Sequence, residues 1–108
     1  MPRITTYAID LKIVQQASTA ISKRVSELIS IPSEYVVIQV NTDAFVRDGK
    51  VAQAEPLVEV CLFDRGLEKE DAIAVCITEE LAKAGCPAPD VYLTRLERRR
   101  YFENGVHF

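Results

Sequence analysis

Apolar and polar positions along the chain fall into two copies of one order. Arg3 to Ile9 carries Ile4, Thr5, Thr6, Tyr7 and Ile9, the β-branched and aromatic mix that suits a pleated, half-buried surface, and it predicts a strand. After Asp10, a residue suited to an N-cap, Val14, Ala17, Ile21, Val25 and Leu28 recur at steps of three or four. That spacing places them on one face of an amphipathic helix, which Pro32 closes. Tyr35 to Val40, YVVIQV, is a nearly continuous apolar run, as expected of a strand covered by a helix on at least one face. In Phe45 to Val51 the pair Asp48-Gly49 supplies the positive φ angles of a tight turn, so this segment reads as a small hairpin.

The order then starts again at Pro56. Leu57 to Phe63, LVEVCLF, is strand-like; Glu68 to Ala84 carries Ile73, Cys76, Ile77, Leu81 and Ala84 on one helical face, with Gly85 placed as the C-cap. Val91 to Leu96, VYLTRL, predicts the closing strand, and Tyr101 to Phe108 predicts a last hairpin around Asn104-Gly105. At an offset of 54, Pro2 falls on Pro56 and Asp10 on Asp64, so the repeat rests more on the order of elements than on letters. The expectation is one α+β domain over 1–108, with pseudo-repeats 2–54 and 56–108. Its two β-α-β units should form a four-stranded mixed sheet with both helices on one face, because parallel crossovers share one hand and each helix has one apolar stripe. A β-α-β-β-α-β order by itself also fits an unrelated ferredoxin-like module.

Composition narrows the functional classes. The chain has 108 residues, 13 basic against 16 acidic, and a formal charge of −3, which excludes a multidomain enzyme. No apolar run approaches the roughly 18 residues of a membrane span, and MPRITTYAIDLK lacks a signal-peptide pattern, so a cytoplasmic protein with no membrane role is expected. Cys61, Cys76 and Cys86 are odd in number, form no C-x-x-C and lie inside apolar patterns; they read as buried small hydrophobes. Joined to the single histidine, His107, their spacings of 15, 10 and 21 residues match no familiar zinc pattern. Neither metal nor cofactor is expected. Arg95, Arg98, Arg99 and Arg100 form a basic run, but Glu97 and Glu103 interrupt it and the net charge is negative, so nucleic acid is not expected as a partner. No glycine-rich phosphate loop, G-x-S-x-G elbow or nucleophile-histidine-carboxylate signature is present.

The start of each unit carries a more specific signal. MPRITTYAI puts a proline directly after methionine, and removal of that methionine would leave a free secondary amine at the head of a strand. With the segments EPLVEVCLFDRG (Glu55 to Gly66), IPSEYVVIQV (Ile31 to Val40) and PDVYL (Pro89 to Leu93), the chain resembles the tautomerase superfamily, the group of macrophage migration inhibitory factor and 4-oxalocrotonate tautomerase. The ending YFENGVHF and the segment FDRG further resemble a bacterial branch whose members mostly lack an assigned reaction. The resemblance implies a homotrimer in which each N-terminal proline lies in a pocket completed by an adjacent subunit. It also implies keto-enol chemistry on a small carbonyl acid, with Pro2 as general base. Tyr92, which corresponds to a pocket tyrosine in PDVYL, is the second candidate catalytic group, and Thr94 lies two residues on along the same strand face.

A carboxylate substrate needs a cation. Lys12, ten residues after Pro2, matches the place of a substrate-binding arginine, and Arg65 falls where related pockets place side chains beside the proline. Lys12, Arg65 and Thr94 are therefore the candidate substrate-binding residues. Thr94 stands in place of the family's asparagine and Ile31 in place of a pocket lysine, which argues for a different substrate preference. The tail adds Tyr101, Glu103 and His107, expected against a neighbouring subunit. While Met1 remains attached, Pro2 holds an amide nitrogen with no basicity; a catalytically silent trimeric binding or structural protein of the same fold is the alternative reading.

Overall fold

The computed structural model describes all residues, 1–108. Strand β1 (Arg3–Tyr7) leads into α1 (Leu11–Ile29), which returns the chain to β2 (Val37–Asn41); a hairpin of β3 (Phe45–Arg47) and β4 (Lys50–Ala52) follows. The second unit runs β5 (Leu57–Phe63), α2 (Leu67–Ala84) and β6 (Asp90–Leu96), and ends in the hairpin β7 (Phe102–Glu103) and β8 (Val106–His107). Four strands form one sheet in the order β2-β1-β5-β6, parallel within each unit and antiparallel where the units meet. Each helix thus crosses between neighbouring strands, whereas a ferredoxin-like fold splits its β-α-β units, so the pairing separates the two topologies.

The central pairing makes the repeat geometric. Thr5 lies opposite Glu59, with Arg3 opposite Cys61 and Tyr7 opposite Leu57; Glu59 is the residue 54 positions after Thr5. A local two-fold axis therefore passes through that pair and exchanges the two units. The shared core lies between the sheet and its helices. Ile4, Val58, Val60 and Leu62 point from the strands toward Val14, Ala17, Ile21 and Val25 of α1 and Ile73, Cys76, Ile77 and Leu81 of α2. Alternation along the strands leaves Arg3, Thr5, Glu59, Cys61, Tyr92 and Thr94 on the opposite, helix-free face.

Both helices end in the same way. Ser30 (φ 56°) and Gly85 (φ 115°) take left-handed conformations, and the next amides, Ile31 and Cys86, donate to the carbonyls of Ser26 (3.0 Å) and Leu81 (2.8 Å), closing each helix in a Schellman motif. A proline follows in each case, Pro32 and Pro87. The expected start of the second strand at Tyr35 is late by two residues, because Ser33–Tyr35 turns once as a 3-10 helix after Pro32. Arg98–Arg100 forms a similar turn before the last hairpin. In the hairpins, Asp48-Gly49 and Asn104-Gly105 all have positive φ (51°, 73°, 51° and 78°), the geometry that matches the twist of the flanking strands.

Two arginines tie the elements together through ion pairs, one between the helices and one between sheet and helix. Arg24 of α1 reaches Glu80 (2.8 Å) and Glu79 (3.2 Å) of α2, and Arg95 of β6 reaches Glu70 of α2 (2.7 Å). Arg24 holds the Glu80 carboxyl below its ordinary value. No helix is long and apolar enough to cross a membrane.

Candidate functional site

Because β5 runs antiparallel to β1, the end of β5 returns to the start of the chain. Extending the pairing beyond Arg3 and Cys61 brings Met1 opposite Phe63, and Arg65 emerges just past that point. The segment between α1 and β2 arrives at the same end, since Val37 pairs with Arg3. A cleft of about 660 Å³ opens here, lined by Met1, Ile31, Tyr35, Phe63, Arg65 and the C-terminal segment residues Tyr101, Phe102, Glu103 and Phe108. Pro2 lies directly behind it, with its side chain under 2% exposed on the core side of β1. Its carbonyl accepts a hydrogen bond from the Val37 amide at 3.5 Å.

Arg65 is held in place by the end of α1. Its Nη1 donates to the Ile29 carbonyl at 3.0 Å, one of the carbonyls that a helix C-terminus leaves without an internal partner. A cation here also faces the negative end of the helix dipole. The guanidinium has five donors in a planar fork, so this contact fixes its orientation and leaves other N–H groups for an anion in the cleft.

The aromatic wall is built from residues far apart in sequence. Phe63, the last residue of β5, meets Tyr101 edge-on at 5.3 Å and Phe108 at 5.6 Å; Tyr101 and Phe108 are 4.9 Å apart. The Arg98 guanidinium covers the Phe63 ring at 4.8 Å, within cation–π range. The last hairpin therefore folds back on its own chain, with Tyr101 and Phe108 against Phe63. His107 is exposed and faces Phe102 at 6.2 Å, outside the cleft.

Of the residues singled out in the sequence, Pro2, Ile31, Arg65, Tyr101 and Glu103 come to this end of the molecule together. Lys12, Tyr92 and Thr94 lie elsewhere in the chain. Lys12 is exposed in the first turn of α1, at the opposite end of the sheet from Pro2. Tyr92 and Thr94 stand on the helix-free face of β6, where Tyr92 lies opposite Glu59 and the Thr94 hydroxyl donates to Glu59 Oε2 at 3.1 Å. Partial burial, and then Glu59, push the Tyr92 phenol above its ordinary value, which makes it a weaker acid. Cys61 shares this face, and burial with Glu59 likewise raises its thiol; Cys76 and Cys86 are buried. Phe63, Tyr35 and Phe108 are cleft residues that periodicity alone does not single out, since each reads as an ordinary strand or tail aromatic.

The same fold recurs in solved structures. A DUF1904 protein from Sebaldella termitidis ATCC 33386 is 26% identical and covers 100% of both chains with a TM-score of 0.87. The asymmetric trimer of the F6 fused 4-OT is 14% identical over 98% of this chain and 95% of its own, with a TM-score of 0.79. A macrophage migration inhibitory factor-like protein from Entamoeba histolytica is 16% identical over 99% and 98%, with a TM-score of 0.71. At those identities the last two establish a shared tautomerase-superfamily fold and nothing finer. No curated protein sequence matches. The family described as "Domain of unknown function (DUF1904)" matches residues 1–107. The chain belongs to that family, and it is built on the fold of the tautomerase superfamily.

Proposed function

We propose that the cleft at the N-terminal end is an active site for keto-enol chemistry on a small carbonyl acid, with Pro2 as general base and Arg65 as the carboxylate anchor. The observation that carries this reading is that Met1, whose carbonyl is bonded to the Pro2 nitrogen, lines the same cleft as Arg65. In a chain whose first residue is Met1, hydrolysis of the Met1–Pro2 bond releases methionine and leaves a secondary amine at the cleft floor. The uncharged amine takes a proton from the carbon α to the substrate carbonyl, the electron pair moves onto the oxygen as an enolate, and the ammonium returns the proton at a different atom. Apolar walls favour the uncharged amine, and the remaining guanidinium donors of Arg65 hold the acid group.

The other candidates enter through assembly. Within one chain Lys12, Tyr92 and Thr94 stand away from Pro2, so their contribution to this cleft comes from neighbouring copies in a homotrimer, and the helix-free sheet face is the surface that such copies share. Three free cysteines suit a cytoplasmic protein. The test compares Met1-free with Met1-retaining protein on phenylpyruvate and on a 2-hydroxydienoate. The free amine should give faster conversion by about 10²–10⁴-fold, the range of general-base catalysis, and Arg65→Ala should raise KM for carboxylate probes more than for neutral ones. Equal rates in the two forms overturn the reading.

Two observations favour the second reading, a trimeric binding protein without turnover. Arg65 is already engaged by the Ile29 carbonyl, and Ile31 supplies no second cation to the cleft. Carboxylate binding by the Met1-free protein with no conversion of any probe is the result that selects it.

A further inference from the structure

In a chain whose first residue is Met1, that methionine is positioned so that folding itself protects it. Strand β1 is central in the sheet, and its pairing begins at Arg3, which faces Val37 on one side and Cys61 on the other. Pro2 is under 2% exposed and its carbonyl accepts the Val37 amide. Met1 is half-buried in the cleft beside Ile31, Tyr35 and Phe63. No slack therefore separates the Met1–Pro2 bond from the middle of the sheet. An aminopeptidase must draw the residues flanking the scissile bond into its own active site, and here that requires unpairing the start of the central strand and pulling Pro2 out of the core.

We propose that Met1 can be removed only before β1 is locked between β2 and β5, so that a chain which folds with Met1 in place is held in a blocked state, with the Met1 side chain forming part of the cleft wall and its proline nitrogen acylated. The chemistry is ordinary hydrolysis: water adds across the Met1–Pro2 bond, and an aminopeptidase supplies the catalysis. The window closes once β5 has been made, because β1 has no antiparallel partner until residues 57–63 exist. At about 5–20 residues per second this allows several seconds of access during synthesis. The fraction of molecules with a free proline amine is then set by competition between peptidase and folding, and it stays fixed until the chain unfolds. The consequence for activity rests on the reading of Pro2 as the base; the trap itself does not.

The experiment uses protein made with Met1 retained and purified in its folded form. It is incubated with purified methionine aminopeptidase beside two substrates: a peptide spanning Met1 to Ile9, and a folded variant with an Ala-Ser-Gly spacer inserted between Met1 and Pro2. Intact mass reads loss of methionine. The peptide and the spacer variant should be trimmed readily, whereas the folded chain should be trimmed slower by on the order of 100-fold or more, because the peptidase acts only on the small fraction with the strand end open. Trimming of the folded chain at the rate of the spacer variant overturns the trap and leaves the Pro2 mechanism standing. Conversely, Met1-free protein that turns over no probe overturns the mechanism and leaves the trap standing.

Discussion

The two ends of the sheet are built from equivalent pieces and differ in what they can do. At one end the chain starts at Met1-Pro2, the Pro2 carbonyl accepts the Val37 amide, and β5 finishes at Phe63 beside the hairpin β7–β8. At the other end Pro56 starts the second unit, its carbonyl accepts the Asp90 amide at 3.0 Å, and β1 leads to Ile9 beside the hairpin β3–β4. There too lies a cleft, of about 450 Å³, lined by Ala8, Ile9, Asp10, Phe45, Val51, Ala52 and Pro56 among others. The offset of 54 relates Pro2 to Pro56 and Phe63 to Ile9, and it places Leu11 where the first end has Arg65. Pro56 is an internal residue whose nitrogen is always an amide, and the second cleft's charged lining residues, Asp10 and Asp43, are acidic. Duplication of the backbone therefore supplies two hollows, while the cation Arg65 and the aromatic wall of Phe63, Tyr101 and Phe108 occur at one of them.

The difference between the two ends is tested first at Phe63 and Ile9, which are 6% and 3% exposed. Phe63→Ala removes the ring on which Tyr101, Phe108 and Arg98 all rest, and a loss of about 3–5 kcal/mol is expected, against about 2–5 kcal/mol for Ile9→Ala. The informative difference is local. The Phe108 amide, bonded to the Tyr101 carbonyl at 2.9 Å, should lose hydrogen-exchange protection beyond the global loss in Phe63→Ala and not in Ile9→Ala. Equal effects at Phe108 in the two variants would mean that the last hairpin does not depend on Phe63.

This asymmetry marks how far the sequence could be read. The 3.6-residue spacing of apolar side chains located the helices, β-branched composition and short apolar runs located the strands, and the turn chemistry of Asp48-Gly49 and Asn104-Gly105 located both hairpins. Arg65 was singled out through the resemblance, which places a pocket side chain there, and it lies two residues past the end of β5. The aromatic wall was not. Tyr35, Phe63, Tyr101 and Phe108 come together only through the antiparallel meeting of the two units and the fold-back of the tail, and no local pattern encodes either. A proline after an αL cap, at Pro32 and again at Pro87, is a repeat signal that letters at a single offset hide, because the second copy is shifted by one residue.

A second test transplants the cation. Leu11→Arg puts a guanidinium at the position equivalent to Arg65, and Arg65→Leu removes the original. In Met1-free protein, Arg65→Leu should weaken binding of an aromatic carboxylate such as phenylpyruvate by about 10–100-fold, the worth of a hydrogen bond to a charged group. Leu11→Arg should create no turnover at the second cleft, since Pro56 has no titratable nitrogen. Titration by NMR would place the ligand through shifts at Ile31 and Glu103 or at Ala8 and Ala52. Turnover by the double variant Arg65→Leu/Leu11→Arg with Met1 retained, which has no free proline amine at either end, would remove the free amine from the explanation of the difference between the ends.

The smallest expected effect comes from the seam between the units, where the comparison predicts no difference. Arg24 belongs to the first unit's helix and Glu80 to the second's, so their contact at 2.8 Å stabilises both ends alike. Arg24 holds the Glu80 carboxyl below the ordinary carboxylate value, which is about 4.3 in an unfolded chain. A group whose folded pKa is depressed contributes stability above its unfolded value and loses that contribution as pH falls through the folded one. The Glu80 contribution should thus be fully present at neutral pH and fade below about pH 4.3. Glu80→Gln should lower the denaturant midpoint modestly at pH 7 and shrink the difference from the parent protein on acidification. Hydrogen exchange should change by the same factor in β3–β4 and β7–β8. A selective loss at one hairpin would show that the seam serves one end of the sheet, and that the two halves are coupled unequally through their helices.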